Sequence, residues 1–116
     1  MIIQLGHSRD YDFVNELYNP IKKSRFFPEQ SWIFPHDGTE VNSRESLKNV
    51  DIFLAEVSYP STGLGIELGF ASLYGKRIIC LSKRGSKISS SLRYITHEFL
   101  EYDDAGELCA IIESIQ

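Results

Sequence analysis

Short apolar runs alternate along the chain with segments in which apolar residues recur every three or four positions. The apolar runs have the length of buried strands, and they lie at residues 2–5, 32–34, 51–57, 77–81 and 99–100. The run at 51–57, DIFLAEV, is the clearest of them, because Glu56 is its only polar residue after Asp51. Runs without alternating polar residues predict strands that are buried on both faces of a sheet.

The segments between the strands predict helices. Most of them show the i, i+3, i+4 spacing of a buried helical face, and they lie at residues 13–21, 43–49, 63–75, 89–95 and 108–115. We expect Gly6 to end the first strand and Gly75 to end the third helix. Pro20 should kink or restart the first helix because it lacks an amide hydrogen, and Asn42 with Glu45 predicts a capping box.

Strands that are apolar on both faces and separated by helices indicate a parallel sheet with helices on both faces. Five such units in 116 residues fit one flavodoxin-like (Rossmann-like), doubly wound α/β domain over residues 1–116, with strand order 2-1-3-4-5. Ligands of such sheets bind beyond the carboxyl ends of the strands, where the strand order reverses. The loop at residues 6–10 should therefore face the loop at residues 58–67 across a binding crevice.

Composition and charge exclude several classes of protein. Hydrophobic residues make up 42% of the chain and charged residues 24%, which is typical of a globular protein and not of a disordered one. A net charge of −4 argues against nucleic-acid binding, which requires a basic surface. No apolar run approaches the ~20 residues of a membrane span, and residues 1–5 are too short for a signal peptide. We therefore expect a cytoplasmic protein without nucleic-acid or membrane partners.

The cysteines and histidines predict neither a disulfide nor a metal site. Cys80 and Cys109 lie in apolar segments and are expected to be reduced thiols, as in other cytoplasmic proteins. The three histidines and two cysteines lack the spacing of metal ligands. We therefore expect no metal and no cofactor.

The loop after the third strand carries the residues with the clearest chemical potential. Gly63 and Gly65 let a ligand approach the backbone closely, and the helix that follows offers free amides to an anion. The same residues also fit a plain connection, in which Ser61 caps the helix and Glu67 is a carboxylate favoured by the helix dipole. Their spacing alone leaves both interpretations open.

Residues 51–71, DIFLAEVSYPSTGLGIELGFA, resemble the signature of the nucleoside 2-deoxyribosyltransferase family. Within that family, the motif is similar to that of the 2′-deoxynucleoside 5′-monophosphate N-glycosidases, and the similarity in element order extends over residues 1–102. The resemblance implies that Glu67 attacks the anomeric carbon of the sugar while the base leaves, giving a covalent glycosyl-enzyme that water or a second base resolves. It also implies that helix-terminal amides and the glycines keep Glu67 ionised.

Ser61 favours a nucleotide over a free nucleoside as the substrate. In the similar transferases that act on free nucleosides, an aspartate at this position holds the sugar 5′-hydroxyl. The monophosphate hydrolases, which this chain resembles here, have a serine. A carboxylate would repel a phosphate, and a hydroxyl beside the amides of Gly63 and Gly65 can bind one.

The loop after the first strand, GHSRD at residues 6–10, supports the same preference. Gly6, Ser8 and Arg9 stand where a strand gives way to a helix, so the guanidinium and the local amides can bind a phosphate. Alternatively, Ser8 caps the helix and Arg9 is merely exposed. We expect His7 to be a loop histidine without a ligand.

The chain departs from the family at one position. The family has an aspartate about eight residues before the residue matching Asp51, and this chain has Ser43 there. Asp37, Glu40 or Glu45 could replace it, and the sequence does not choose among them. Without a proton donor the base would leave less readily.

The serine run at residues 89–91 points to a second copy of the chain. It resembles the segment that, in the monophosphate hydrolases, contributes a serine to the phosphate site of the neighbouring subunit, and Ser90 is the candidate. Alternatively, these serines are a flexible cap to a short helix. The resemblance implies a homodimer with shared active sites, and the helix face around Tyr74 is a second candidate contact.

The function predicted from the sequence is an N-glycosidase that cleaves the base–sugar bond of (deoxy)nucleoside 5′-monophosphates through Glu67. One alternative is a base-exchange deoxyribosyltransferase acting on free nucleosides. The other is a nucleotide-binding sensor that has kept the pocket without efficient turnover. The sequence identifies neither the base nor the kind of sugar.

Overall fold

The computed structural model describes residues 1–38 and 40–115. Its strands are β1 (Ile2–His7), β2 (Ser31–Ile33), β3 (Ile52–Glu56), β4 (Arg77–Lys83) and β5 (Glu98–Tyr102). They form one five-stranded sheet in the order β2-β1-β3-β4-β5, and each pair of neighbouring strands is parallel. The predicted fold class and strand order are therefore confirmed.

The connections between the strands are largely helical, as the sequence predicts. A π-helical turn, Val14–Tyr18, leads into α1 (Asn19–Lys23), and α2 (Ser43–Ser46), α3 (Thr62–Leu73) and α4 (Ala105–Ser114) follow. Short 3₁₀ turns lie at Phe27–Glu29, Leu47–Asn49 and Ser90–Tyr94. Pro20 lies in the first turn of α1, where a missing amide hydrogen costs no hydrogen bond. Gly75 follows α3 with a positive φ of 68°, as expected of a helix stop.

Helices cover both faces of the sheet. Side chains on successive strand residues point to opposite faces, so the apolar strands contribute to a core on each side. On one face, Leu54 of β3 packs in a core with residues of α1, α4 and the π-helical turn. On the other face, Phe53 packs in a core with residues of α3 and of the segment after α2. This arrangement explains why β3 is apolar along both of its sides.

The first strand is longer than predicted. Gly6 does not end β1, since Gly6 and His7 both pair with β3, opposite Ala55 and Glu56. Gly6 is required there for packing: a Cβ atom built on it would lie 2.3 Å from Cζ of Phe53. The glycine therefore allows a close approach inside the core and is not a strand terminator.

The capping box predicted at the start of α2 is absent. The side chain of Asn42 makes no capping hydrogen bond, and its carbonyl alone accepts the amides of Glu45 and Ser46. The Glu45 carboxylate lies 3.4 Å from Lys48 Nζ instead. The Glu45 side chain thus pairs with Lys48 on the exposed side of the helix and is not available to the cap.

Candidate active site

A cavity of about 1260 Å³ opens at the carboxyl edge of the sheet. Its wall includes residues from the end of β1 and from the start of α3, and the strand order reverses between β1 and β3, so the cavity lies where doubly wound sheets bind ligands. Five of the predicted site residues line it together, namely Ser8, Arg9, Ser61, Gly63 and Glu67. The two loops that the sequence analysis placed face to face therefore do meet.

Gly6 and Asp37, although predicted as substrate-binding residues, do not line this cavity. Gly6 is enclosed by Phe53 and Leu64, so its role in the structure is packing. The carboxylate of Asp37 lies 2.7 Å from Lys22 Nζ and forms an ion pair with it. The neighbouring loop residues, not these two, form the wall.

Gly65 and Ser90 also lie outside the wall of the large cavity. The amide of Gly65 donates to the carbonyl of Ser61 at 3.1 Å, so it is not open to an anion. Gly65 instead lines a second cavity of about 470 Å³, which α3 shares with the serine run and with Lys87. Ser90 begins the 3₁₀ turn before β5, and a role in a partner's site stays a prediction.

Glu67 is the acidic group of the cavity whose surroundings bear most on catalysis. It lies in the second turn of α3 and is half-buried. The hydroxyl of Ser43 donates to its carboxylate, and Ser43 Oγ in turn accepts from Gln4 Nε2 at 3.0 Å. The position at which the chain departs from the family therefore contacts the candidate nucleophile directly.

The ionisation of Glu67 differs from the expectation. Burial raises the pKa of its carboxyl above the ordinary value, and the hydrogen bond from Ser43 opposes that rise only in part. The amides of the first turn do not reach far enough to keep Glu67 ionised, because their effect fades within one turn and Glu67 is in the second. A raised pKa is a common property of carboxyl groups at functional sites.

Other residues of the wall offer donors suited to an anion. Ser61 is the N-cap of α3, and its Oγ accepts from the amide of Leu64 at 3.3 Å. The amides of Thr62 and Gly63 belong to the first helical turn and have no acceptor within the helix. Arg9 is exposed and lines the same cavity. A cationic group and free amide donors thus line the same cavity.

Ser8 shapes the loop that carries Arg9. It is almost fully buried, and its Oγ accepts from the amide of Asp10 at 3.1 Å. The hydroxyl therefore stabilises a turn. It does not cap the helical segment, which begins at Val14 with Phe13 as its N-cap. Its place in the wall of the cavity leaves a contact with substrate as a prediction.

The loop that carries Ser61 is anchored beneath the site. The buried Glu56 carboxylate accepts from the amide of Ser58 at 2.6 Å and from the hydroxyl of Tyr102. Ser58 Oγ accepts from the amide of Lys83 at 2.7 Å. These bonds join the end of β3 to β4 and β5, so the loop leaves the sheet in a fixed direction. The polar residue in an otherwise apolar strand is explained by this anchoring.

The chain is similar in sequence to nucleotide N-hydrolases, although no protein-family model matches it. A Thermofilum pendens protein named 2′-deoxynucleoside 5′-phosphate N-hydrolase 1 is 36% identical over 74 residues, which are 60% of this chain and 52% of that protein. The 5-hydroxymethyl-dUMP N-hydrolase of Homo sapiens is 43% identical over 51 residues, 42% of this chain and 29% of that protein. The matches thus span about half, or less, of the length of these relatives.

Solved structures share the fold over nearly the whole chain. A CMP N-glycosidase from Clostridium botulinum has a TM-score of 0.72 at 21% identity and covers 97% of this chain and 98% of its own. A 2-deoxyribosyltransferase from Leishmania mexicana has a TM-score of 0.65 at 13% identity, with 99% of both chains covered. At 21% and 13% identity these likenesses confirm the fold, and the sequence matches to N-hydrolases support the predicted family resemblance.

The three carboxylates that could replace the aspartate of the nucleoside 2-deoxyribosyltransferase family have different surroundings. Asp37 pairs with Lys22 and Glu45 with Lys48, both outside the wall of the cavity. Glu40 lines the cavity. Of the three, Glu40 is the one that the structure brings to the site.

His7 is a site residue that the sequence reasoning misplaced. It is the last residue of β1, not a loop residue, and is 4% exposed. Its Nδ1 lies 2.8 Å from the carbonyl of Ser8, which only accepts, so Nδ1 carries the proton. Nε2 then accepts from the hydroxyl of Tyr18 at 2.6 Å. Burial lowers the pKa of His7, so a neutral imidazole faces the cavity.

Two absences complete the description of residues 1–38 and 40–115. Within these residues, no group of three or more His, Cys, Asp and Glu side chains is placed to hold a metal ion. None of their helices combines the length and apolar character needed to cross a membrane.

Proposed function

We propose that this chain hydrolyses the N-glycosidic bond of nucleoside 5′-monophosphates, with Glu67 as the nucleophile. The observation that carries the proposal is that one cavity holds a half-buried carboxylate and, in the same wall, Arg9 and the first-turn amides of α3. A nucleoside monophosphate has the two matching parts, an anomeric carbon and a phosphate. The names of the relatives support the same substrate class.

The reaction proceeds by two displacements at the anomeric carbon. The ionised carboxylate of Glu67 forms a bond to that carbon while the bond to the base nitrogen breaks, and its electron pair leaves with the base. Water then attacks the same carbon, its proton passes to solvent or to an acidic side chain, and the carboxylate of Glu67 is released. Only the ionised form of Glu67 can start this sequence.

The departing base needs a proton, and we assign Glu40 to supply it. A general acid accelerates departure of a poor leaving group by protonating it in the transition state. Glu40 lines the cavity, whereas Asp37 and Glu45 lie outside it in ion pairs with lysines. Asp37 therefore has no part in this proposal.

The phosphate would lie at the start of α3. A helix N-terminus with free amides attracts an anion, and the Arg9 guanidinium adds a positive charge that forms strong hydrogen bonds with phosphate. The neutral hydroxyl of Ser61 permits this placement, since a carboxylate there would oppose it. In this arrangement the 5′-phosphate orients the sugar toward Glu67.

We also propose that two copies of the chain pair through α3. That helix is apolar on its outer side as well, with Ile66 56% and Leu73 84% exposed, and a helix that is apolar all round is normally buried. Ile66 also lines the large cavity, so a partner that covers it would close the site. Sedimentation equilibrium should give a dimer for the natural chain and a monomer for Leu73→Glu; a monomeric natural chain with full activity would contradict this.

The two thiols support a location in the cytoplasm. Cys80 and Cys109 are both free, and free thiols are retained in a reducing environment. We therefore propose that the protein acts in the cytoplasm.

The test of the proposed function is a panel of nucleoside 5′-monophosphates and the matching nucleosides, with the free base measured by chromatography. Base release from monophosphates is the expected result. Release from nucleosides only in the presence of a second base would instead establish a transferase. Binding without release would establish a sensor.

A further inference from the structure

Gln4 is a buried polar residue in a place where the sheet requires apolar ones. It lies in the middle of β1 and is 0% exposed, and its strand neighbours Ile3 and Leu5 point to the opposite face. A buried amide is unfavourable unless its donors and acceptor are paired. Both ends of the Gln4 amide are indeed paired, and both partners lie on α2.

These contacts form a chain of hydrogen bonds from α2 through β1 to α3. The hydroxyl of Ser46 donates to Gln4 Oε1 at 2.6 Å. Gln4 Nε2 donates to Ser43 Oγ at 3.0 Å, and the Ser43 hydroxyl donates to Oε2 of Glu67. The nitrogen end of an amide donates and the oxygen end accepts, so the Gln4 amide fixes the direction of all three hydrogen bonds.

The direction matches one ionisation state of Glu67. An ionised carboxylate only accepts hydrogen bonds, so Ser43 must donate to it and must accept from elsewhere. Gln4 supplies that donor as long as its oxygen end is held by Ser46. If Glu67 were protonated and donated to Ser43, the Ser43 oxygen would already have a donor, and Gln4 would not need to donate to it.

We propose that Gln4 is a positioning residue, which orients the Ser43 hydroxyl toward Glu67 and so favours the ionised nucleophile; this role rests on the proposed function. Gln4 has no place in the wall of the cavity, and it acts through Ser43. Where the family has an aspartate, this chain thus has Ser43, a neutral hydrogen-bond donor. The buried Gln4 amide sets the direction in which Ser43 donates.

Other charged or titratable groups line the cavity with Glu67 or lie near it. Its own helix, α3, has no other charged residue. From the other elements around the cavity, the groups are His7, Arg9, Asp10, Tyr18, His36, Glu40 and Arg44. None of these is a hydrogen-bond partner of Glu67 among the described residues, so its local geometry depends on Ser43. Their charges are unchanged by a neutral substitution at Gln4.

The experiment compares Gln4→Met with the natural chain. Methionine keeps the length and the apolar stem but removes both hydrogen bonds. Thr96→Val is the matched control, because it removes a buried hydroxyl that donates to the carbonyl of Ile78 at 2.5 Å outside the cavity. The first readout is the pKa of Glu67 from the ¹³C NMR titration of its side-chain carboxyl, which needs no activity. The second is kcat and KM for base release as a function of pH.

We expect Gln4→Met to raise the pKa of Glu67 by roughly half a unit to one unit, because its donor is no longer held in place. The acidic limb of the kcat profile should move up by the same amount, with KM changed less than about twofold, since Gln4 does not touch substrate. Thr96→Val should leave both the pKa and the profile unchanged. A pKa of Glu67 in Gln4→Met equal to that of the natural chain would overturn the proposal.

Failure of the Gln4 proposal can be distinguished from failure of the proposed function. If no nucleotide is cleaved by the natural chain, the proposed function fails, and the NMR titration alone decides whether Gln4 governs Glu67. If Gln4→Met does not fold, Ser46→Ala takes its place, because it removes only the partner of Gln4 Oε1. That variant should raise the pKa of Glu67 in the same direction by a smaller amount, and no change would overturn the proposal.

Discussion

The hydroxyl of Ser43 donates a hydrogen bond to the carboxylate of Glu67. Ser43 stands where the resemblance to the nucleoside 2-deoxyribosyltransferase family leads one to expect an aspartate. A second carboxylate in that place would compete with Glu67 for protons, whereas a hydroxyl stabilises the ionised form. The ionisation of the proposed nucleophile therefore depends on its burial and on this one donor.

The stability of the protein should depend on pH through Glu67. Burial raises the pKa of this carboxyl in the folded protein, so the folded state binds its proton more tightly than the unfolded state. The contribution of Glu67 to stability is then fully present at low pH and is lost as the pH rises through the folded pKa. Glu67→Gln cannot ionise and should lose less stability as the pH rises from about 4 through the folded pKa of Glu67.

Urea unfolding at several pH values measures this difference. The free energy of unfolding of Glu67→Gln, relative to the natural chain, should increase steadily as the pH rises. Glu113→Gln is a suitable control, because Glu113 lies on α4, which packs on the opposite face of the sheet from α3. A difference that is flat with pH, or that falls, would show that burial does not govern Glu67.

Removing the Arg9 guanidinium should weaken nucleotide binding selectively. Arg9 lines the cavity and is exposed, so water screens part of its attraction for a phosphate. We expect Arg9→Ala to weaken the binding of a nucleoside 5′-monophosphate by about tenfold and to leave nucleoside binding unchanged. Calorimetry of each ligand on both proteins measures this. Arg25→Ala removes another exposed guanidinium, outside the cavity, and should have no effect; equal losses in the two variants would contradict a specific phosphate contact.

A carboxylate at position 61 should invert the preference between nucleotide and nucleoside. Ser61 is the N-cap of α3, and aspartate caps helices equally well, so Ser61→Asp should fold normally. Its charge would repel a phosphate and accept a hydrogen bond from a free 5′-hydroxyl. We expect the affinity for the monophosphate to fall at least about tenfold, which is roughly one charge-assisted hydrogen bond, while nucleoside binding is kept or improves. If Ser61→Ala, which adds no charge, gave the same loss, capping and not charge would be the cause.

Two glycines predicted to bind substrate should respond oppositely to alanine. At Gly6 a Cβ atom would lie 2.3 Å from Phe53, so Gly6→Ala should destabilise the protein by about 1–3 kcal/mol through overpacking. At Gly65 nothing lies within 4 Å of the added atom, so Gly65→Ala should stabilise α3 by up to about 1 kcal/mol. Thermal unfolding of both variants provides the comparison. A neutral Gly6→Ala would mean that the core can open around Phe53.

The fold was predictable because hydrophobic periodicity is a local property of the sequence. Strands apolar on both faces, such as 51–57, require helices on both sides of the sheet, and only a few topologies provide them. The length of β1 was not predictable in this way. Pairing of Gly6 and His7 with β3 is decided by the neighbouring strand, so the glycine alone predicts a strand end that does not occur.

The site was predictable as a meeting of two loops but not in its hydrogen bonds. Ser43 and Glu67 are 24 residues apart and Gln4 and Ser43 are 39 apart, and no local pattern encodes such contacts. The sequence places Gln4 in an apolar strand and gives no sign of its hydrogen-bond partners on α2. His7 was misplaced for the same reason, since its partner Tyr18 comes from the next helical segment.

The most direct test of the proposed function is the release of free base from a nucleoside 5′-monophosphate by the natural chain and by Glu67→Ala. The chromatographic assay should show base released by the natural chain and a loss of at least about a thousandfold in the variant, as expected when a nucleophile is removed. Circular dichroism should confirm that both proteins are folded. Release of base by folded Glu67→Ala at the rate of the natural chain would contradict the assignment of Glu67, and the absence of release from every monophosphate would contradict the proposed reaction itself.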